Sequence, residues 1–294
     1  MSGSPPASTD IRLLQVAYGD EEPLARRVER VANLVRQQQG ADLVVLPELW
    51  AHGGFSYQSW QEEAEPLTGP TISALREAAR DAQVVLHGGS VIERPADSSA
   101  LYNTAVVIDR HGEITATYRK MHRFGFSEGE PQLLTAGDQV ATVELDLAGR
   151  SVPTGLATCY DLRFPELFRM LTYNGMQVLF LVAAWPKARV DHWRVLAQAR
   201  AVENQVVVLA CNTAGTHAGV TMGGHSMIVD AQGRVLAEAG DTEEVLSMVL
   251  DLGGVDTARA SFPCYSTAGS NHGSHDPGAG GARTTPAPGS PITH

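Results

Sequence analysis

The chain predicts an α/β fold with strand-rich sheets and helices on their outer faces. Three observations predict it: short apolar runs alternate with segments of helical period, Gly-containing turns punctuate the strands, and the order β-α-β-α-β-β in the first half largely recurs from Val140. Residues 11–17 read as a strand, and Leu24, Val28, Val31 and Val35 then share one helical face before Gly40 stops it. Residues 41–46 are apolar enough for a strand buried on both faces. A helix over 71–82 and a strand over 84–92 follow, then a hairpin of 103–109 and 113–118 around Arg110-His111-Gly112. The second half reads as strands 140–147 and 152–158 about the turn Ala148-Gly149-Arg150. A helix with Phe164, Leu167, Phe168 and Leu171 on one face and a strand over 177–183 come next. A helix over 191–204, with Asp191 as its N-cap, precedes strands at 206–211, 224–230, 234–237 and 245–250.

No internal repeat stands out in the residues themselves, so 11–265 is expected to form one domain. Residues 1–10 and the Gly/Ser/Pro-rich segment 266–294 offer almost nothing to bury and are expected to be disordered. The net charge of -11, with no Lys/Arg cluster, argues against nucleic acid or anionic lipid as a partner. The longest apolar run, 178–185, falls well short of the roughly 20 residues of a membrane span. The first residues lack the basic and apolar parts of an export signal, and three widely spaced cysteines, Cys159, Cys211 and Cys264, suit a reducing compartment. A cytoplasmic location is expected. His192 and His225 lack any metal-binding spacing, which argues against a zinc site, and no glycine-rich nucleotide motif is present, which argues against nucleotide-dependent ligase chemistry.

Three residues close apolar strands and carry chemistry. Cys159 ends Pro153-Thr-Gly-Leu-Ala-Thr and begins a turn into a helix, where backbone N–H groups and a helix dipole would lower its pKa and bind an oxyanion. Glu48 follows Asp42-Leu-Val-Val-Leu-Pro47, and Lys120 ends Thr115-Ala-Thr-Tyr-Arg. Singly, each has an ordinary structural reading: a buried small hydrophobe, a strand-end carboxylate in water, an edge lysine. Together, at the ends of separate core strands, they can converge at one rim as base, ammonium and nucleophile. Cys211, inside Val206-Val-Val-Leu-Ala, fits a purely structural role.

The ordered segments Val44-Val-Leu-Pro-Glu48, Tyr118-Arg-Lys120-Met-His122 and Thr158-Cys159-Tyr-Asp-Leu-Arg-Phe-Pro-Glu166 resemble the Glu, Lys and Cys motifs of the nitrilase superfamily of carbon-nitrogen hydrolases. Tyr102-Asn-Thr-Ala105, Ala183-Ala-Trp-Pro186, Ala199-Arg-Ala-Val-Glu-Asn204 and Gly224-His-Ser-Met-Ile-Val-Asp230 extend the likeness from Ile11 to about Leu252. The resemblance implies an α-β-β-α sandwich that pairs into a four-layer homodimer or a higher homo-oligomer, with no metal or organic cofactor. It also implies a second glutamate between the lysine and the cysteine, for which Glu128 is the better match and Glu130 the competitor. Glu48, Lys120, Cys159 and Glu128 are thus the expected catalytic set.

Cys159-Tyr-Asp in place of Cys-Trp-Glu points away from nitriles and towards amides. The branch resembled is that of ω-amidases and deaminated-glutathione amidases. The implied reaction opens a small linear amide through a Cys thioester and releases ammonia and a carboxylate. Tyr160 would supply an oxyanion N–H and Trp185 would line the pocket. Arg163, Arg123 and His122 are candidates to anchor a distal carboxylate, although Arg163 could instead pair with Glu166 and brace the elbow. The alternatives are an N-carbamoyl amidohydrolase, a nitrilase, or a catalytically silent binding subunit.

Overall fold

The computed structural model describes residues 8–264; the expected disordered tail 266–294, and residues 1–7 of the expected N-terminal extension, lie outside the described residues. The first half runs β1 (Ser8–Gln15), β2 (Ala17–Gly19), α1 (Leu24–Arg36), β3 (Leu43–Val45), α2 (Trp60–Glu63), α3 (Pro70–Ala82), β4 (Val85–Glu93), β5 (Tyr102–Ile108) and β6 (Ile114–Arg119). A single turn, α4 (Glu130–Leu133), leads to β7 (Ala141–Leu147), β8 (Arg150–Thr158), α5 (Pro165–Tyr173), β9 (Val178–Ala183), α6 (Val190–Asn204) and β10 (Val207–Asn212). The remainder is β11 (Ala214–His217), β12 (Val220–Thr221), β13 (Met227–Val229), β14 (Val235–Glu238), β15 (Glu244–Asp251) and α7 (Gly254–Ser261).

Two six-stranded sheets, ordered β15-β1-β3-β4-β5-β6 and β14-β13-β10-β9-β8-β7, form the body. The period-2 alternation of strand side chains assigns each face. Leu43 and Val45 of β3, Leu156 of β8 and Phe180 of β9 fill the space between the sheets. Val44 and Leu86 turn outward to meet Val31 and Leu75 of α1 and α3, while Ala157, Leu179 and Leu181 meet Leu167, Phe168 and Ala197 of α5 and α6. Helices thus cover both outer faces and the expected α-β-β-α sandwich forms. At about 25 cal/mol per Å², this shared apolar burial is the main force holding the layers together.

Several expected boundaries move. β1 starts at Ser8, inside the segment assigned to the disordered N-terminus. Ser8, Thr9 and Asp10 pair with Asp251, Leu250 and Val249 of β15, and the Asp10 amide donates to Asp42 Oδ2 at 3.0 Å. Backbone pairing orders a stretch that has little apolar signal. Asp191 does not cap α6: Arg189 occupies that position, and Asp191 lies in the first turn, where its charge favours the helix dipole without a side-chain cap. The strand expected over 224–230 is shortened to β13, because Gly224 and His225 both take positive φ. A small third sheet, β12-β11-β2, was not anticipated.

The helix expected directly after Cys159 is preceded by a 3-10 turn over Cys159–Arg163, and Pro165 then opens α5 at its first turn. No helix among the described residues is long and apolar enough to cross a membrane.

Candidate active site

β3 runs parallel to β1 and β4, β9 runs parallel to β8 and β10, and β6, two antiparallel steps from β4, runs the same way as β3. The C-terminal ends of β3, β6, β8 and β9 meet at one rim, and each end presents a side chain singled out in the sequence. Glu48 lies just past β3, Lys120 just past β6, Cys159 just past β8 and Trp185 just past β9.

Glu48 is buried, and its carboxylate is fixed from three sides. Oε1 accepts from Asn103 Nδ2 and Lys120 Nζ, each at 2.8 Å, and Oε2 accepts from the Ala184 amide at 2.8 Å. The Lys120 ammonium, also buried, donates at 2.8 Å to Glu130 Oε1. Glu130 Oε2 in turn accepts from the Phe124 amide at 2.6 Å. The structure therefore brings Glu130 to the lysine, and leaves Glu128 exposed on the preceding loop. This corrects the preference for Glu128. Gly129, at φ +90°, reverses the chain between the two glutamates, so Glu130 enters the cluster as the first residue of α4.

Cys159 has φ +47°, a left-handed conformation that costs a residue with a Cβ roughly 1–2 kcal/mol. Asp161 holds it there. Fully buried, its carboxylate accepts from the Thr158 amide (2.9 Å), the His122 amide (3.0 Å) and the Tyr118 hydroxyl (2.8 Å), and lies 2.7 Å from His122 Nδ1. Asp161 thus ties the cysteine turn to the strand end that carries Lys120. Sequence reasoning missed this role and that of Asn103, although both lie in the recognised segments, because what they bond depends on loops meeting across the fold.

The electrostatics of the cluster differ from expectation at the thiol. Burial and the neighbouring Glu48 carboxylate push the Cys159 thiol well above its ordinary range, and Lys120 only partly offsets them. The anticipated lowering by a helix dipole does not prevail. Burial disfavours the Lys120 ammonium, but Glu130 and Glu48 outweigh it and raise the group well above the ordinary lysine value. Glu130 is raised chiefly by burial, against the pull of Lys120.

Glu48, Lys120, Glu130 and Cys159 lie at the base of a cleft with an empty volume of about 350 Å³. Phe55, Phe124, Tyr160 and Trp185 form walls, and Arg163 and Arg189 also line it. Arg163 does not pair with Glu166: its guanidinium lies 4.8 Å from the Trp185 ring centroid and donates to His192 Nδ1 at 3.2 Å. Arg123 instead braces the loop through the Pro131 and Leu134 carbonyls, and His122 stacks on Phe164 with centroids 3.8 Å apart. Neither lines the cleft. His225 is held by Glu238 and Asp241, and among the described residues no group of three His, Cys, Asp or Glu side chains is placed to hold a metal ion.

Residues 10–260 match the model of the family described as carbon-nitrogen hydrolase. The chain belongs to that family. It is accordingly a hydrolase of carbon-nitrogen bonds other than peptide bonds, acting on small amides. The hydrolase is 45% identical over 256 residues, 86% of this chain and 87% of the relative, to a 2-oxoglutaramate amidase of Paenarthrobacter nicotinovorans. Its structure is similar to that of Nit3 from Saccharomyces cerevisiae, a member of branch 10 of the nitrilase superfamily. That likeness has a TM-score of 0.78 and 27% identity, and covers 88% of this chain and 95% of Nit3. It is also similar to a mutant amidase from Nesterenkonia sp. AN1 that shows covalent addition of the acetamide moiety of fluoroacetamide at the active site cysteine. There the TM-score is 0.75 and the identity 27%, with 89% of this chain and 98% of that one covered.

Proposed function

We propose that the hydrolase opens the terminal amide of a small substrate whose far end carries a carboxylate, the class to which 2-oxoglutaramate belongs. The observation that carries this reading is a buried, hydrogen-bonded chain of Glu48, Lys120 and Glu130 beneath the Cys159 thiol, in a cleft also lined by arginine. The 45% identical amidase supports the same substrate class.

In the proposed mechanism Glu48 takes the proton from Cys159 as the sulfur attacks the amide carbon. A thiol raised by burial and by Glu48 is protonated at rest, so a base must act during attack. Lys120 and the Tyr160 N–H, which belongs to the first turn of a 3-10 segment, where backbone donors precede any acceptor within the helix, stabilise the oxyanion. Glu48 returns its proton to the leaving nitrogen, ammonia departs and a thioester remains. Glu48 next takes a proton from water, the water oxygen bonds to the acyl carbon, and the C–S bond breaks. The sulfur regains a proton and the carboxylate product leaves. Glu130, rather than Glu128, fixes Lys120 and the Phe124 amide throughout. Trp185 forms the wall and Arg163 the anchor.

The same reading includes a homodimer: Met170 and Tyr173 of α5 and Val195 and Val202 of α6 expose apolar surface on one outer layer, which supports pairing through it. Light scattering should then return twice the chain mass. The cysteines Cys159, Cys211 and Cys264 are free, which supports a reducing, cytoplasmic setting.

The test is ammonia release from a panel of succinamate, 2-oxoglutaramate, butyramide, butyronitrile and an N-carbamoyl amino acid, with intact mass after rapid quenching. The expected result is turnover of the anionic amides and an acyl adduct that disappears in Cys159→Ala. Preferred hydrolysis of the nitrile or the carbamoyl compound, or substantial turnover by Cys159→Ala, would overturn it.

A further inference from the structure

Arg189 stands where no motif pointed to it, in the short segment between Pro186 and α6, and it lines the same cleft as Cys159. Several other arginines of this acidic chain hold carboxylates: Arg30 reaches Glu22 at 2.7 Å, Arg119 reaches Glu93 at 2.9 Å and Arg200 reaches Glu203 at 2.6 Å. Among the described residues neither Arg163 nor Arg189 has a carboxylate partner. Arg163 has the Trp185 face and one imidazole nitrogen. The Arg189 guanidinium has the face of Phe124, 5.4 Å from Cζ to the ring centroid. Two half-buried cations whose attractive partners are mainly aromatic faces leave their planar N–H edges available to an incoming anion.

The two arginines are fixed by one side chain. Trp185 supports Arg163 on its ring face, and its indole N–H donates at 2.6 Å to the Arg189 carbonyl, which anchors the backbone that carries Arg189. The Phe124 ring beneath Arg189 belongs to the residue whose amide holds Glu130. Phe124 therefore links the cationic cleft wall to the buried cluster at the base of the cleft, while Trp185 joins the two arginines.

We infer that Arg189 is a specificity-determining residue that, with Arg163, clasps the distal carboxylate of the substrate and selects anionic over neutral amides. This rests on the reading that the substrate is a small carboxylate-bearing amide. The physical basis is the charge-assisted, two-point match of guanidinium to carboxylate in a cleft with aromatic walls, where water competes poorly. The amide end is then carried down to Cys159, and a neutral amide of the same length gains nothing from either arginine.

The test compares kcat and KM of wild type, Arg189→Gln and Arg189→Lys on succinamate and on butyramide, which share a four-carbon skeleton and differ in the carboxylate. Arg189→Gln should lower kcat/KM for succinamate by about 30-fold, as expected for loss of a hydrogen bond to a charged group, with the change in KM rather than kcat. Butyramide turnover should stay within about twofold, and Arg189→Lys should recover part of the succinamate activity. Equal losses on both amides would mean that Arg189 only supports Trp185, and unchanged succinamate kinetics would mean that it binds nothing; either result overturns the inference. A wild type that does not prefer succinamate to butyramide would instead overturn the substrate class itself. A melting temperature equal to that of wild type guards against reading misfolding as lost binding.

Discussion

Cys211 lies in β10 and Cys159 directly follows β8, strands of one sheet separated only by β9, and burial raises both thiols above their ordinary range. Their surroundings then diverge. Cys211 is the fifth residue of the six in β10, completely buried, with its sulfur 3.5 Å from the Leu14 carbonyl and 3.4 Å from that of Val45. Cys159 is one residue past its strand, at positive φ, with a carboxylate, an ammonium and an open cleft beside it. Under the proposed mechanism the difference teaches that thiol reactivity would come not from a lowered resting pKa but from a base close enough to take the proton when the substrate arrives, and from a backbone turn at positive φ past the strand end.

Replacing Glu48 breaks this comparison most sharply. Glu48→Gln removes a group that raises the Cys159 pKa, so iodoacetamide labelling of Cys159 should titrate at lower pH than in wild type. Amide turnover should nevertheless fall about 10³-fold, because the base is gone. A fall in turnover without a downward shift in titration would break the electrostatic account, and retained turnover would break the mechanism. The direction for stability follows from the same shift. A thiol raised in the folded state favours folding fully below its ordinary value of 9.0, and that contribution is lost as the pH climbs towards the folded value. Lys120, also raised, adds stability that persists below 10.5 and fades only above it, so both losses lie on the alkaline side.

The paired glutamates sharpen the comparison at a smaller scale. Glu130→Gln keeps the shape but removes one of the two charges on Lys120, and should lower kcat about 10²-fold. Glu128→Gln should leave kcat within about twofold, since that side chain is exposed. Equal effects from the two variants would mean that the contact of Glu130 with Lys120 is not what matters.

Much of this was legible in the residues. Strands such as β9 and β10 are continuous apolar runs bounded by polar or turn residues, and α1 has a clean apolar stripe, so their places in the layers followed from period alone. Glu48, Lys120 and Cys159 could be read because each ends such a strand. Glu130 could not be separated from Glu128, because the choice depends on the turn at Gly129, and a φ of +90° at one glycine decides which of two nearby carboxylates points inward. Arg189 was invisible for a related reason. It lies in a three-residue 3-10 turn without periodicity, and only the packing of that turn against Trp185 and Phe124 turns it to the cleft. Asp161 sits within a recognised motif, yet its three backbone and side-chain donors come from three separated positions, Thr158, His122 and Tyr118, which no local pattern brings together.

The smallest expected effect lies at the other cysteine. Cys211 fills space between the two sheets and offers a weak S–H donor to carbonyls that already belong to the strand network. Cys211→Ala leaves a cavity about the size of one sulfur and no stranded charge, so it should cost about 1–2 kcal/mol and lower Tm by about 2–8 °C. Its kcat should be unchanged, since the residue touches neither Glu48 nor the cleft. Thermal melts and kinetics on the same preparation check both halves. A loss of turnover without a change in Tm would give Cys211 a part in the chemistry and erase the distinction between the two thiols.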